Sequence, residues 1–149
     1  GPGPPTQDTV GVLRQLFAAS FSAQGPMTTL GARLVHVAAG EVHIELPFSA
    51  GLSQQRGYVH AGAITSIVDS ACGYAALTRA AAGDDVVTAE FKINFMRPAL
   101  GERFLAIGRV QSAGRTLSVC TGEVLAFQPG SAEGKTIALM QATIVSIRQ

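Results

Sequence analysis

The sequence predicts one α+β domain in which a long apolar helix packs against an antiparallel sheet. Residues 61–82 are rich in alanine, contain no proline and hold only two charged side chains, Asp69 and Arg79. The segments after this stretch alternate polar and apolar residues, which is the periodicity of half-buried strands. Short links join these segments, as is typical of antiparallel neighbours. A sheet of this size needs cover on one face, and the apolar stretch can provide it.

The chain before the apolar stretch predicts a helix followed by a hairpin. Apolar residues recur at helical spacing over residues 9–22, and the Gly25-Pro26 pair is expected to end this helix. Strands are predicted over 30–37 and 41–46, because the second of them alternates polar and aliphatic side chains.

The apolar stretch predicts a helix over residues 61–82, since alanine has the highest helix propensity. Gly83 and the two aspartates after it are expected to end this helix. Glycine and proline then divide the last third of the chain into four strands. These predicted strands span residues 88–95, 102–111, 115–127 and 135–147.

The composition predicts a single domain that assembles with copies of itself. The chain has 149 residues, of which residues 1–7 are interpreted as a tag remnant and disordered leader and residues 8–149 as the domain. Charged residues make up 14% of the chain, whereas about a quarter is usual for a soluble domain. We expect the additional apolar surface to form a homodimer or homotetramer interface.

The charge distribution and the cysteines exclude several classes of partner. The net charge is +1 without a basic run, so neither nucleic acid nor a membrane surface is expected as a partner. Cys72 and Cys120 have neither metal-ligand nor redox spacing, and they are expected to be reduced. Reduced cysteines, together with a sequence in which no signal peptide or membrane span is apparent, indicate a cytoplasmic protein.

The long helix carries one acidic side chain among small and polar neighbours. Asp69 shares a stripe with residues three or four positions apart, and such a stripe allows a thin ligand or another backbone to approach. Burying an ionised carboxylate in so apolar a helix costs free energy unless it has polar or charged partners. Asp69 is therefore a candidate catalytic residue. Two other interpretations stay open: Asp69 is exposed at the surface, or it caps a neighbouring helix in a dimer. The stripe consists of Gly62, Thr65, Ser66, Asp69, Cys72, Gly73 and Ala76.

The start of the long helix is a second candidate site. If the helix begins near Ala61, the amide N–H groups of its first turn have no partner within the helix. Together with the positive end of the helix dipole, they could polarise a carbonyl oxygen. His60 lies at this position, as part of the site or as an ordinary capping residue.

The motifs around these two positions resemble the hotdog thioesterases of the phenylacetate-degradation type, also described as PaaI-like or thioesterase superfamily member 2 type. The first motif places Asp69 nine residues after the histidine of a Gly-x-x-His-x-Gly pattern. The resemblance spans about Val35 to Ile147. The motifs are Gly57-x-x-His60-x-Gly62, Phe91-x-x-x-Phe95-Met96-Arg97-Pro98, Gly101-Glu102 and Gly114-Arg115-Thr116.

This resemblance implies a hotdog fold, dimers that share active sites, and hydrolysis of aryl- or medium-chain acyl-CoA thioesters without metal or cofactor. It implies that Asp69 is the general base or nucleophile and that the amide of Ala61 is the oxyanion donor. The other matching positions are His60 and Gly62 in the motif, Thr88 beside the carboxylate, Gln54 as the residue that orients thioester or water, and Arg97, Arg115 and Lys135 as contacts for CoA phosphates.

The chain departs from the family pattern at two of these positions. Ala61 replaces the glycine after the histidine, which preserves the N–H unless the position requires a positive φ. Gln54 replaces asparagine, and the extra methylene could shift the amide by about an ångström. Both departures could mark a divergent substrate.

One other function competes with thioester hydrolysis, and two more fit the sequence less well. A hotdog protein that binds acyl-CoA or another apolar ligand without turnover remains the main alternative, although such a binder would need neither Asp69 nor Thr88. A hydratase of this fold would carry a histidine shortly after Asp69, and a serine hydrolase would carry a Gly-x-Ser-x-Gly motif; the sequence has neither. His36 and His43 are expected to face solvent on the hairpin, and with His60 they are not expected to form a metal set.

Overall fold

The computed structural model describes residues 15, 17–53 and 57–148. The predicted leader, the start of the N-terminal helix and Gln54 lie outside these residues. The described elements, in chain order, are helix α1 (residues 17–23), helix α2 (Gly25–Leu30), strands β1 (Arg33–Ala38) and β2 (Glu41–Pro47), a 3₁₀ turn (Ala50–Leu52), helix α3 (Ala61–Leu77), and strands β3 (Asp84–Phe95), β4 (Arg103–Ala113), β5 (Leu117–Phe127) and β6 (Gly134–Arg148).

The strands form one antiparallel sheet with the order β1-β2-β4-β5-β6-β3, and α3 packs on one of its faces. The predicted alternation in β2 is confirmed, because Val42, Ile44 and Leu46 are fully buried while the residues between them are partly exposed. The α+β architecture predicted from the sequence is therefore confirmed. Among the described residues, no helix is long and apolar enough to cross a membrane.

Two glycines let α3 lie directly on the centre of the sheet. A Cβ atom at Gly108 of β4 would stand 2.4 Å from the backbone of Ala71, and one at Gly122 of β5 would stand 2.5 Å from a methyl group of Val68. Larger residues at these positions would push the helix away from the sheet. The two glycines thus set the distance between α3 and the sheet next to Asp69.

The N-terminal helix ends before Gly25 as predicted, but the boundary predicted for the first strand was wrong. Helix α1 ends at residue 23, and Gly25 and Pro26 then begin helix α2, because proline fits the first turn, where its missing N–H has no helical partner to lose. The helix ends at Leu30 with Gly31 in the left-handed region, so β1 starts at Arg33 and not at residue 30.

The predicted end of α3 was also wrong, since the helix stops at Leu77. The Thr78 hydroxyl donates to the carbonyl of Ala75 and accepts from the N–H of Gly40 in the β1–β2 turn, so tertiary contacts fix this helix end. Strand β3 begins at Asp84, four residues earlier than predicted, because β6 is long enough to pair with it from there.

Candidate active site

The carboxylate of Asp69 and the hydroxyl of Thr88 meet between α3 and β3. Thr88 Oγ1 donates a hydrogen bond of 2.8 Å to Asp69 Oδ1. The register of β3 against β6 shifts between Thr88 and Glu90, and such a bulge re-aims the side chains beside it. The family resemblance implied that Thr88 lies beside the carboxylate of Asp69, and the structure brings these two side chains, 19 positions apart in the chain, into contact.

A cavity of about 140 Å³ opens beside this pair and runs along α3. Gly73 lies one helical turn after Asp69, and a Cβ atom there would have no neighbour within 4 Å. The missing side chain therefore leaves open space next to the carboxylate. This space is comparable to cavities of roughly 150 Å³ that hold one benzene ring.

Tyr74 forms part of the cavity wall, a role that the sequence analysis missed. Its hydroxyl accepts a hydrogen bond of 2.9 Å from Gln24 and lies 3.1 Å from Ser20 Oγ. The rings of Phe17 and Phe21 pack against the tyrosine ring with centroids 5.5 and 5.9 Å away. Burial raises the pKa of Tyr74, so its hydroxyl stays neutral. No local sequence signal indicates that α1 contacts α3, so this role of Tyr74 could not be predicted from the sequence.

The start of α3 is fixed by a side-chain cap. His60 is the N-cap, and its Nδ1 accepts a hydrogen bond of 2.9 Å from the N–H of Gly62. Within the part of the chain that the structure describes, the N–H of Ala61 has no hydrogen-bond acceptor. No described residue other than glycine has a positive φ, so alanine fits at position 61 without backbone strain.

Gly62 keeps this helix start compact. A Cβ atom at this position would lie 3.1 Å from Nδ1 of His60 and would press against the capping ring. The absence of a side chain at Gly62 therefore leaves room for the ring of His60, which caps the helix. This cap holds the first turn of α3 in place.

A second cavity, of about 250 Å³, lies beside Ala61. Phe95 at the end of β3 and Arg97 contribute to its wall. The guanidinium of Arg97 donates a hydrogen bond of 2.6 Å to the carbonyl of Thr136, which places it at the same end of β6 as Lys135.

Arg115 lies at the opposite end of β6 from Lys135. It precedes Thr116, whose carbonyl accepts a hydrogen bond from the N–H of Ser146. Thr88 pairs with Ile144 near that same end. Of the three predicted phosphate contacts, Arg97 lines the Ala61 cavity, Lys135 lies at the same end of β6 as Arg97, and Arg115 lies at the Thr88 end.

The two candidate centres are far apart within one chain. Ala61 and Asp69 are separated by eight residues of one helix, a rise of about 12 Å. A carbonyl group within hydrogen-bond distance of the Ala61 N–H cannot also be reached by the Asp69 carboxylate of the same chain. Within one chain, the two candidate centres therefore cannot act together on one carbonyl group.

The cysteines do not supply an alternative nucleophile. Both thiols are free and buried in the core beneath α3. Burial raises the pKa of Cys120 to about 11 and also raises that of Cys72, so neither is a thiolate at neutral pH.

Comparisons with known proteins identify the family. The model of the thioesterase superfamily matches residues 56–133. A protein of Saccharolobus solfataricus that is provisionally named an esterase is 30% identical over 113 residues, which cover 76% of this chain and 78% of that protein.

Solved structures agree with this match. A thioesterase family protein from Silicibacter pomeroyi is 42% identical, with a TM-score of 0.87 over 92% of this chain and 99% of that one. The E. coli PaaI protein from the phenylacetic acid degradation operon has a TM-score of 0.81 at 21% identity, over 93% of this chain and 95% of that one, and supports the fold alone. The chain therefore belongs to the thioesterase superfamily and is a thioester hydrolase with the hotdog fold.

Proposed function

We propose that the chain hydrolyses acyl-CoA thioesters at a site built from two copies of itself. Asp69 and Thr88 of one copy would act on the water, and Ala61 of the second copy would hold the carbonyl oxygen. The observation that carries this proposal is the 2.8 Å hydrogen bond between Thr88 and Asp69 at the wall of a cavity.

In this reaction Asp69 removes a proton from water or attacks the carbonyl carbon itself. The hydrogen bond from Thr88 engages Oδ1 of Asp69. This bond would orient the other carboxylate oxygen towards the cavity. As general base, Asp69 takes a proton while the water oxygen bonds to the acyl carbon, and the carbon–sulfur bond then breaks. As nucleophile, it forms an acyl-carboxylate anhydride that water hydrolyses. Both routes yield a free acid and the CoA thiol.

The amide of Ala61 would stabilise the negative charge that develops on the carbonyl oxygen. Its N–H has no acceptor among the described residues and lies at the positive end of a helix of 17 residues. An oxyanion donor that is already fixed before the reaction needs little reorganisation. The cap made by His60 would hold it there.

The open edge of the sheet supports pairing with a second copy. Strand β3 is at the edge of the sheet, has 12 residues and exposes Val87, Phe91 and Phe95 by 43–48%. A long apolar edge is a template for another strand. Antiparallel pairing of β3 with its copy would place the Phe95 end of one strand, beside Ala61, against the Thr88 end of the other.

The same pairing would place basic residues of both chains around one substrate molecule. Arg97 and Lys135 of one chain lie at the Ala61 end, whereas Arg115 lies at the Thr88 end. In a paired assembly these ends meet, so the phosphates of CoA would have guanidinium partners from both chains.

We assign the enzyme to the cytoplasm because its thiols are unpaired. Cys72 and Cys120 are both free and buried. A reducing compartment maintains thiols in this state.

The first prediction concerns assembly. Light scattering should show a dimer or a tetramer at micromolar concentration, because each chain carries two incomplete half-sites and an open apolar strand. Phe91→Lys, which places a charge on that edge, should shift the protein towards monomer and lower activity together. A stable and active monomer would contradict the shared site.

The second prediction concerns the acyl group. Gly73→Leu should fill the cavity beside Asp69 and lower kcat/KM for aryl and medium-chain acyl-CoA by about 10-fold or more, since single methylenes matter on this scale in a pocket. Acetyl-CoA should be affected least, and Gly73→Ala should give a smaller change. Both variants should be at least as stable as the wild type, because glycine is unfavourable inside a helix.

A panel of acyl-CoA esters measured on the wild type and these variants tests the function itself. Hydrolysis of at least one ester with the predicted size dependence supports the proposal. Binding of the esters without turnover would instead establish the non-catalytic hotdog protein. Equal losses for acetyl-CoA and the larger esters would place the acyl group elsewhere.

A further inference from the structure

A cluster of two imidazoles and a carboxylate lies on the β1–β2 hairpin, away from the candidate active site. The donor atoms of His36, Glu41 and His43 all lie within 4.8 Å of one another. Val42 and Ile44 of the same strand point into the core under α3, so Glu41 and His43 lie on the outer face of the sheet. The cluster is therefore separate from the residues of the proposed hydrolysis.

A β-bulge creates this cluster. The register of β1 against β2 shifts between Leu34 and His36, so that Val35 is the additional residue. As a result His36 stands directly opposite His43, and their ring centroids are 4.6 Å apart. From the sequence, His36, His43 and His60 were not expected to form a metal set, and the group with Glu41 does not include His60. Strand periodicity alone gives no sign of the bulge that brings His36 and His43 together.

The carboxylate of the cluster is held in place by its neighbours. Glu41 Oε2 lies 2.8 Å from Nε2 of His43, and Arg109 donates a hydrogen bond of 2.8 Å to Oε1. Arg109 also pairs with Glu123, so with neutral histidines the side chains of Glu41, Arg109 and Glu123 give this cluster one net negative charge.

We propose that His36, Glu41 and His43 bind a first-row transition-metal dication such as Zn²⁺ on the outer face of the hairpin. Two imidazoles and a carboxylate suit such metals better than Mg²⁺ or Ca²⁺, which prefer oxygen donors. The ion would connect the edge strand β1 to β2 and leave coordination positions for water.

The required adjustment is small. Tetrahedral Zn²⁺ with bonds of about 2.0–2.1 Å holds its donor atoms roughly 3.3 Å apart, so the donors need to approach by about 1.5 Å or less. His36 is exposed and can rotate towards the other two side chains. Glu41 can present Oε2 to the ion while Oε1 remains bonded to Arg109.

Titration calorimetry with ZnCl₂ on the metal-free full chain, near pH 7.5 where histidine is mostly neutral, tests this site. We expect one Zn²⁺ per chain, and binding at least about 10-fold weaker in His36→Gln, His43→Gln and Glu41→Gln. Saturating Zn²⁺ should raise the unfolding midpoint of the wild type by roughly 5 °C and leave that of the His36→Gln/His43→Gln double variant unchanged.

Glu45→Gln is the matched control, because Glu45 also lies on the outer face of β2 but contacts Arg33 and Arg103 instead of a histidine. It should bind Zn²⁺ like the wild type. The proposal is overturned if the double variant retains wild-type affinity, if no saturable binding occurs, or if Glu45→Gln weakens binding as much as Glu41→Gln.

Discussion

Asp69→Asn is expected to lower kcat by about 100-fold or more while the fold and the assembly remain intact. Asparagine has nearly the same shape and can still accept the hydrogen bond from Thr88, but it can neither take a proton from water nor attack the carbonyl group. Substrate binding should persist, because it depends on the cavity walls and the contacts to CoA.

Steady-state kinetics on the best acyl-CoA substrate measure this effect, and binding is measured separately by calorimetry. Asp84→Asn provides the matched control, since it removes a carboxylate near the start of β3 that does not line the cavity. Its kcat should match the wild type. A kcat near wild type in the Asp69→Asn dimer would show that another residue performs the chemistry.

Ala61→Pro is expected to lower kcat by roughly 100-fold or more, the scale for loss of one oxyanion donor. Proline removes the N–H and little else at this position. It is favoured in the first turn of a helix, and the extended backbone of His60 suits the residue before a proline. The unfolding temperature should therefore change little.

Ala61→Gly is the control for this variant, because it restores the usual family residue and retains the N–H. Its activity should equal or exceed that of the wild type. Near-normal turnover in a folded Ala61→Pro protein would exclude the amide at position 61 as the oxyanion donor.

The sequence predicted those parts of the fold and site that depend on local patterns. Alternation of side chains identified β2, and alanine content identified α3, because burial on one face leaves a periodic signal. The positions of Asp69 and Ala61 followed from the family resemblance, and the contact between Asp69 and Thr88 agrees with it.

Other features depended on contacts between distant segments. The end of α3 is set by Thr78 through Gly40, and the cavity wall at Tyr74 is completed by α1. The bulge at Val35 depends on how β1 pairs with β2. Periodicity within one segment contains no information on such contacts, so the sequence could not predict them.

Complementation between the two defective variants tests the shared site most directly. In a hetero-oligomer of Asp69→Asn and Ala61→Pro chains, one shared site would combine both lesions, and the other would contain an intact Ala61 and an intact Asp69. Coexpression with random pairing, verified by native mass spectrometry, should therefore restore roughly a quarter of wild-type kcat. Activity no higher than the mean of the two parent variants, with the hetero-oligomers present, would contradict a site built from two copies.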